Sequence, residues 1–318
     1  MFTTAEAAAE GVGRHLLSGR CYRSWGVGLW CCTESAPDPP VPDGLHGILP
    51  ALQGMDRMAS HVSAGVLLGL RLPGQLGSTG RIHLTSRSAN IPRSRAVVGH
   101  RAVLDRRDVW RVGALRVTSP ARTLLDLAAM QGRTGHGLLT DEQLIAVVDG
   151  VISEHRTGLH AGRPALRRKA ELEVDLGRFR GRRGAGRLRH ALEASVPGVD
   201  SPMETYARIV LEGHGLMGWE TDVELRAPGH CALWPDLADR RHRLVLQFDG
   251  VVHEDRRQRL RDVERQRATQ AAGWTEIRVV HTDLDLGHRA DTGAEPRIVS
   301  LVRAHRAVSA ASGGPRAR

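Results

Sequence analysis

The chain has 318 residues, enough for two or three domains that each bury a core of their own. Lys and Arg total 45 against 35 Asp and Glu, a formal charge of +10. That balance favours an anionic partner, nucleic acid ahead of a membrane surface, because no basic amphipathic helix with an aromatic face is evident.

Lys169 is the single lysine, so nearly all of the positive charge is arginine. The most apolar run, VSAGVLLGL at 62–70, is too short to span a bilayer, and the N-terminus shows no basic segment leading into an apolar one. Cys21, Cys31, Cys32 and Cys231 match neither a zinc pattern nor a disulfide framework. A cytoplasmic protein, with no membrane contact, is the expectation. Searches for G-x-x-x-x-G-K-[ST], H-E-x-x-H and G-x-S-x-G find nothing, so no small-molecule cofactor is indicated. The sixteen histidines are scattered, and pairs such as His155 and His160 have no metal-site company in the sequence.

Residues 1–35 read as two short helices around Gly11 and Gly13, followed by CYRSW and VGLWCC as strands. That order outlines a small winged helix; a plain helical hairpin fits as well. APDPPVPDG at 36–44 is a proline-rich linker, where fixed φ angles and missing donors prevent regular structure.

Residues 45–155 form a mixed α/β region. Apolar residues recur at helical spacing from Leu49 through Met55, Met58, Val62 and Val66 to Leu70. RIHLTS at 81–86 and RAVVGHRAVL at 95–104 read as strands, and ALRVTSPARTLLDLAA passes from strand to helix with Ser119 as N-cap and Pro120 at the first helical position. Thr140 and Gln143 then make a capping box ahead of an apolar face formed by Leu144, Ile145, Val148 and Ile152.

Residues 156–200 are a basic helical connector. Between 161 and 195 it holds ten Lys or Arg against four Asp or Glu, which is +6 of the net charge. Such a segment is either a solvated linker or a surface for phosphates, with Arg182, Arg183 and Arg187 as the contacts in the second case.

From 201 to 307 the order is clearer. SPMETYARIVLEGHGL starts with Ser201 as N-cap, Pro202 at the first position and Glu204 in the capping-box place. WETDVELRAPG, CALWPDLAD and RLVLQFDG are strand-like. EDRRQRLRDVERQRATQAAG is a charged helix ended by Gly273, WTEIRVV a strand and IVSLVRAHRAV a last helix, with a disordered tail at 308–318.

In a strand, side chains at i and i+2 share a face about 7 Å apart, so Gln247 and Asp249 project together, and Asp236 ends the preceding strand. Oxygen ligands of this kind suit a hard cation. Plainer readings stand beside this one: Asp249-Gly250 as a hairpin turn, Asp236 as a turn residue, Glu204 as half of a cap and His253 as a helix start.

The succession α, three β, α, β, α resembles the PD-(D/E)XK nuclease-like core. SPMET, PDLAD, LVLQFDGVVH and the D-x-x-R helix with Asp262 and Arg265 together look like its very-short-patch-repair-like endonuclease group. ASHVSAGVLLGL and LRVTSPARTLLDLAA, with the strands around them, are similar to AbiEi-type antitoxin-like regions found ahead of such domains.

The resemblance implies an α/β (α+β) chain with a C-terminal restriction-endonuclease-like αβββαβα core behind a winged-helix-like N-terminus and the mixed α/β middle region. It implies a DNA partner, Mg²⁺ held by Asp236 and Asp249, Glu204 orienting a water, and His253, with an ordinary pKa near ~6.5, moving its proton. Arg265 is either a structural partner of Asp262 or a phosphate contact. Gln247 stands where this group usually carries glutamate, giving the catalytic set one charge fewer. The chain therefore reads either as a DNA-directed endonuclease or as a regulator that keeps the fold as a DNA-binding module; action through a protein partner is a third reading.

Overall fold

The computed structural model describes residues 2–17, 21–26, 29–32, 57–77, 81–87, 97–113, 115–131, 138–157, 160–248, 256–284 and 295–311. The chain divides into two compact units, residues 1–147 with 170–193, and residues 148–169 with 194–318. Among the described residues no helix is long and apolar enough to cross a membrane.

The first unit opens with β1 (Phe2–Thr3), α1 (Thr4–Ala9), α2 (Arg14–Leu17), β2 (Tyr22–Gly26) and β3 (Leu29–Cys32). The helix, helix, hairpin order is present, with β1 added antiparallel to β3. Its main sheet is five-stranded and mixed. β4 (Arg57–Ala59), β5 (Ile82–Ser86), β6 (Val97–Arg101), β7 (Val109–Val112) and β8 (Leu115–Thr118) lie in the order β6-β5-β4-β8-β7.

The helical spacing read between Leu49 and Leu70 does not hold throughout. Met58 lies in β4, where Met58 and Ala59 are buried between neighbouring strands, and a helix, α3 (His61–Leu67), begins only after Ser60. Burial on both faces makes a strand look continuously apolar, which periodicity alone does not separate from a helix. Residues 49–56 and the 36–44 linker lie outside the described residues.

After α4 (Gly74–Gly77), α5 (Pro120–Ala129) starts as its sequence demands: the Ser119 hydroxyl accepts the Arg122 amide at 3.3 Å behind Pro120. α6 (Asp141–Ile152) carries the reciprocal cap, with the Thr140 amide donating to Gln143 Oε1 at 3.0 Å and the Gln143 amide to Thr140 Oγ1 at 3.2 Å.

The basic segment is folded. It forms α7 (Lys169–Arg178) and α8 (Ala185–Glu193), and α8 packs on α5. Gly184 permits that approach: its φ is +85°, and a Cβ there would stand 2.7 Å from the Ala129 backbone nitrogen.

The second unit is built on α9 (Pro202–Gly213), β9 (Leu237–Asp239), β10 (Leu244–Phe248), α10 (Arg256–Ala271), β11 (Thr275–Val279), α11 (His281–Leu284) and α12 (Arg297–Ala311). β10 is central, antiparallel to β9 and parallel to β11. A parallel neighbour requires a long crossover, and α10 supplies it.

Alternation along β10 divides its side chains between two cores. Leu244 and Leu246 pack with Leu211, Ile298 and Val302 from the helices, while Val245 packs with Val223, Leu225 and Ala238. The first of the three expected strands, at 219–229, is reduced to two isolated bridges, Glu220 with Ala238 and Leu225 with Leu233. Asp222 between them has a φ of +54°, a left-handed conformation that interrupts an extended strand.

One buried carboxylate ties this unit together. Asp149, fully buried, accepts from the Val196 amide at 2.7 Å, the Thr205 hydroxyl at 2.8 Å and the Arg208 guanidinium at 3.2 Å. Burial raises its proton affinity, and Arg208 leads the groups that oppose that shift. Replacing Asp149 with Ala leaves the buried Arg208 with only the partly exposed Glu212, at 3.2 Å, and strips Thr205 and Val196 of their acceptor; the expected loss is about 3–5 kcal/mol, read as a lower denaturant midpoint.

Candidate active site

A cavity of about 370 Å³ in the second unit is lined by His155, His160, Asp200, Glu204, Asp222, Trp234, Asp236 and Arg265, among others. The local reasons for this convergence are legible. Ser201 caps α9 by accepting the Glu204 amide at 3.3 Å, which fixes Glu204 in the first turn. The Glu204 carboxylate reaches back one residue further than a capping box requires and accepts the Asp200 amide at 2.9 Å.

Asp236 comes from the edge of the sheet. Leu237 pairs with Leu246, so continuing the antiparallel register by one residue sets Asp236 opposite Gln247. Asp236 Oδ2 then accepts the Phe248 amide at 2.7 Å. Gln247 lies between two charged groups: its Oε1 accepts from Arg265, and its side chain is near enough to Asp236 to favour that carboxylate's charged form. Arg265, from α10, also donates to the Trp234 carbonyl at 3.1 Å.

Both acids are perturbed. Burial, then the charge of Asp236, pushes the Glu204 carboxyl up to about 8, against the hydrogen bonds from Ser201 and Asp200. Asp236 is also raised, chiefly by burial, and the Phe248 amide and Arg265 oppose the shift. Strongly shifted acids that share a cavity are a recognised mark of functional sites.

The structure thus brings Glu204, Asp236, Gln247 and Arg265 together. Asp249 and His253 lie outside the described residues. Gln247 differs from its expected role as an oxygen ligand facing an ion, because Arg265 already engages its amide oxygen. Asp262 meets Arg278 at 3.4 Å.

His155 was not distinguished by the sequence. Its Nδ1 lies 2.8 Å from Asp222 Oδ1, its Nε2 3.2 Å from Asp200 Oδ1, and His160 stands with its ring centroid 5.7 Å away. The fold pairs His155 with acids 45 and 67 positions further along the chain. The only local signal is the helix interruption after Ile152.

Of the arginines assigned to phosphate contact, Arg182 and Arg183 are exposed, and Arg182 donates to the Val103 carbonyl at 3.4 Å. Arg187 is occupied within the first unit. It donates to Asp141 Oδ1 and the Leu139 carbonyl, each at 2.7 Å, and to the Ala128 carbonyl at 3.2 Å.

A carboxyl whose folded pKa lies above its unfolded value makes the native state bind the extra proton, so stability declines as pH rises through the interval between them. For Glu204, faced by Asp236 and Asp200 with Arg265 beyond, that interval runs from 4.5 to about 8. Thermal unfolding followed from pH 5 to 9 should show the melting temperature fall across it. Glu204→Gln should flatten this part of the profile and melt higher than the parent at pH 8.

Compared with known proteins, the chain is similar to two uncharacterized proteins from Mycobacterium tuberculosis, MT2308 of strain CDC 1551 / Oshkosh and Rv2248 of strain ATCC 25618 / H37Rv. Each is 24% identical over 264 residues, which span 81% of this chain and 86% of the relative. No family model matches the chain, and no solved structure is a significant match.

Proposed function

We propose that this protein is a DNA-directed, divalent-cation-dependent endonuclease that hydrolyses phosphodiester bonds at the Glu204–Asp236 cavity. One observation carries the reading: two carboxylates distant in sequence, Glu204 buried and Asp236 partly buried, meet in one cavity, where burial first and then the charge of Asp236 push the Glu204 carboxyl up to about 8. A dication would relieve that repulsion, and the oxygen donors present suit Mg²⁺. Asp236 is its described ligand, and Asp249, outside the described residues, is the expected second.

When bound, the ion would supply an acidified water and neutralise charge developing on the phosphate. The chain's own groups do the rest. Glu204 would orient the water, and Arg265, at the wall of the cavity, would meet a phosphate oxygen. Asp236 keeps its position through the Phe248 amide, and His253 is the expected proton carrier.

A second reading has an observation of its own. Gln247 is an uncharged amide beside Asp236 whose oxygen is already taken by Arg265, as suits a fold retained for binding DNA without cutting it. Supercoiled, mismatched and branched DNA incubated with the purified chain in Mg²⁺ or Mn²⁺ separates the two. The endonuclease reading expects nicking that falls at least about 100-fold in Asp236→Ala at unchanged melting behaviour, and that rises in Gln247→Glu. DNA binding with no nicking by either the parent or Gln247→Glu would leave the binding module.

The exposed pair Arg182 and Arg183 generates a separate expectation. Changing both to Gln should weaken DNA binding and reduce the slope of log K against log salt by roughly 2, about 0.9 for each phosphate that is no longer neutralised. An unchanged slope in a salt titration would place those guanidinium groups away from the DNA.

A further inference from the structure

The first unit holds a second cavity, about 800 Å³, that the proposed hydrolysis does not use. Three histidines from three elements converge there. His61 opens α3, His83 lies in β5 and His100 in β6, the parallel neighbour of β5. His83 Nδ1 is 3.0 Å from His100 Nε2, and the His61 ring stacks on His100 with centroids 3.6 Å apart. Each ring offers a nitrogen within 4.8 Å of the other two.

The nitrogens of a tetrahedral ion with bonds of about 2.0–2.1 Å stand roughly 3.3 Å apart; the spacing here is comparable, and closing the set would turn His61 and His100 out of their stack and replace the His83–His100 hydrogen bond. His61 and His83 are buried, and His61 is held at a φ of +52°, a left-handed conformation that is strained for a non-glycine residue. Burial leads the causes that keep the rings neutral, His61 at about 2, His83 at about 3 and His100 at about 4. Lone pairs are therefore ready at neutral pH.

A separate feature points to a missing ligand. Asp126, 4% exposed, binds Arg122 through Oδ1 at 2.8 Å, but its buried Oδ2 has no hydrogen-bond partner among the described residues and lies 3.9 Å from His61 Nδ1. The buried Thr85 hydroxyl, on the same cavity wall, likewise has no partner among the described residues. An orphaned carboxylate oxygen beside neutral imidazoles supplies the negative charge that a dication among three histidines needs, as a ligand or by orienting His61.

We infer that His61, His83 and His100, with Asp126 beside them, form a binding site for a transition-metal dication of the Zn²⁺ type, distinct from the carboxylate cavity of the second unit. Nitrogen donors select this class over Mg²⁺. Arg81, Arg122 and Arg183 also line the cavity, so an oxyanion bound without metal is the competing occupant.

The test uses the full chain after dialysis against a chelator. Titration with Co²⁺ should give one equivalent of visible d–d absorption, which one equivalent of Zn²⁺ abolishes, and Zn²⁺ should raise the melting temperature. His100→Gln, the least buried of the three changes, should lower Zn²⁺ affinity at least about 100-fold, and Asp126→Asn by about 10–100-fold, with circular dichroism unchanged in both. Asp236→Ala should keep the Co²⁺ spectrum, since that residue belongs to the other unit. No saturable Co²⁺ spectrum, affinity unchanged in His100→Gln, or stabilisation by inorganic phosphate but not by Zn²⁺ would each overturn the inference.

Discussion

The buried carboxylate of Asp149 is the constraint on which the second unit depends. A charge taken fully out of water is tolerated only where donors surround it. Here the donors come from the chain before α9 and from α9 itself, through Val196, Thr205 and Arg208. Because Thr205 follows Glu204 directly, the anchor that fixes the helix also fixes the acid that enters the cavity. The same first turn is held from outside by the Ser201 cap and by the Asp200 amide. The position of Glu204 is thus over-determined, and its burial and raised proton affinity follow from that.

The cavity places negative charge inside a chain that is positive overall. Asp200, Glu204, Asp222 and Asp236 line it, with Arg265 as its arginine, while the whole sequence carries +10. At long range such a protein attracts a polyanion; at a few ångströms these acids would repel a phosphate unless a cation or a proton intervenes. The two proposed readings differ on which of these occurs. The Arg265–Gln247–Asp236 arrangement keeps the cluster stable with an amide where a third carboxylate would add repulsion, and Gln247→Glu probes that balance directly.

The two units also present two donor chemistries. Oxygen donors gather where β9 and β10 meet α9, and nitrogen donors gather on β5, β6 and the start of α3. Both clusters sit where a polar group is buried by its neighbours, and in both the perturbed pKa values begin with burial. Ion selectivity between such sites rests on donor type, which makes the metals that discriminate them different in kind.

The sequence by itself determined what adjacent residues decide. Ser119-Pro120, Thr140 with Gln143, and Ser201-Pro202 announce helix starts that are found at those positions, and the short apolar run of LVLQF announces β10. These signals survive because caps and pleats are satisfied within four or five residues. Tertiary structure alone decided the rest. His61, His83 and His100 are spaced without pattern, and they meet because β5 pairs with β6 and α3 begins at the edge of the same sheet region. Asp236 faces Gln247 because of an antiparallel register, and Gln247 meets Arg265 because α10 crosses back over β10. Registers and crossings are set by the burial of distant apolar residues such as Leu211, Leu246 and Val302, a sum over the whole core that no short window of sequence contains.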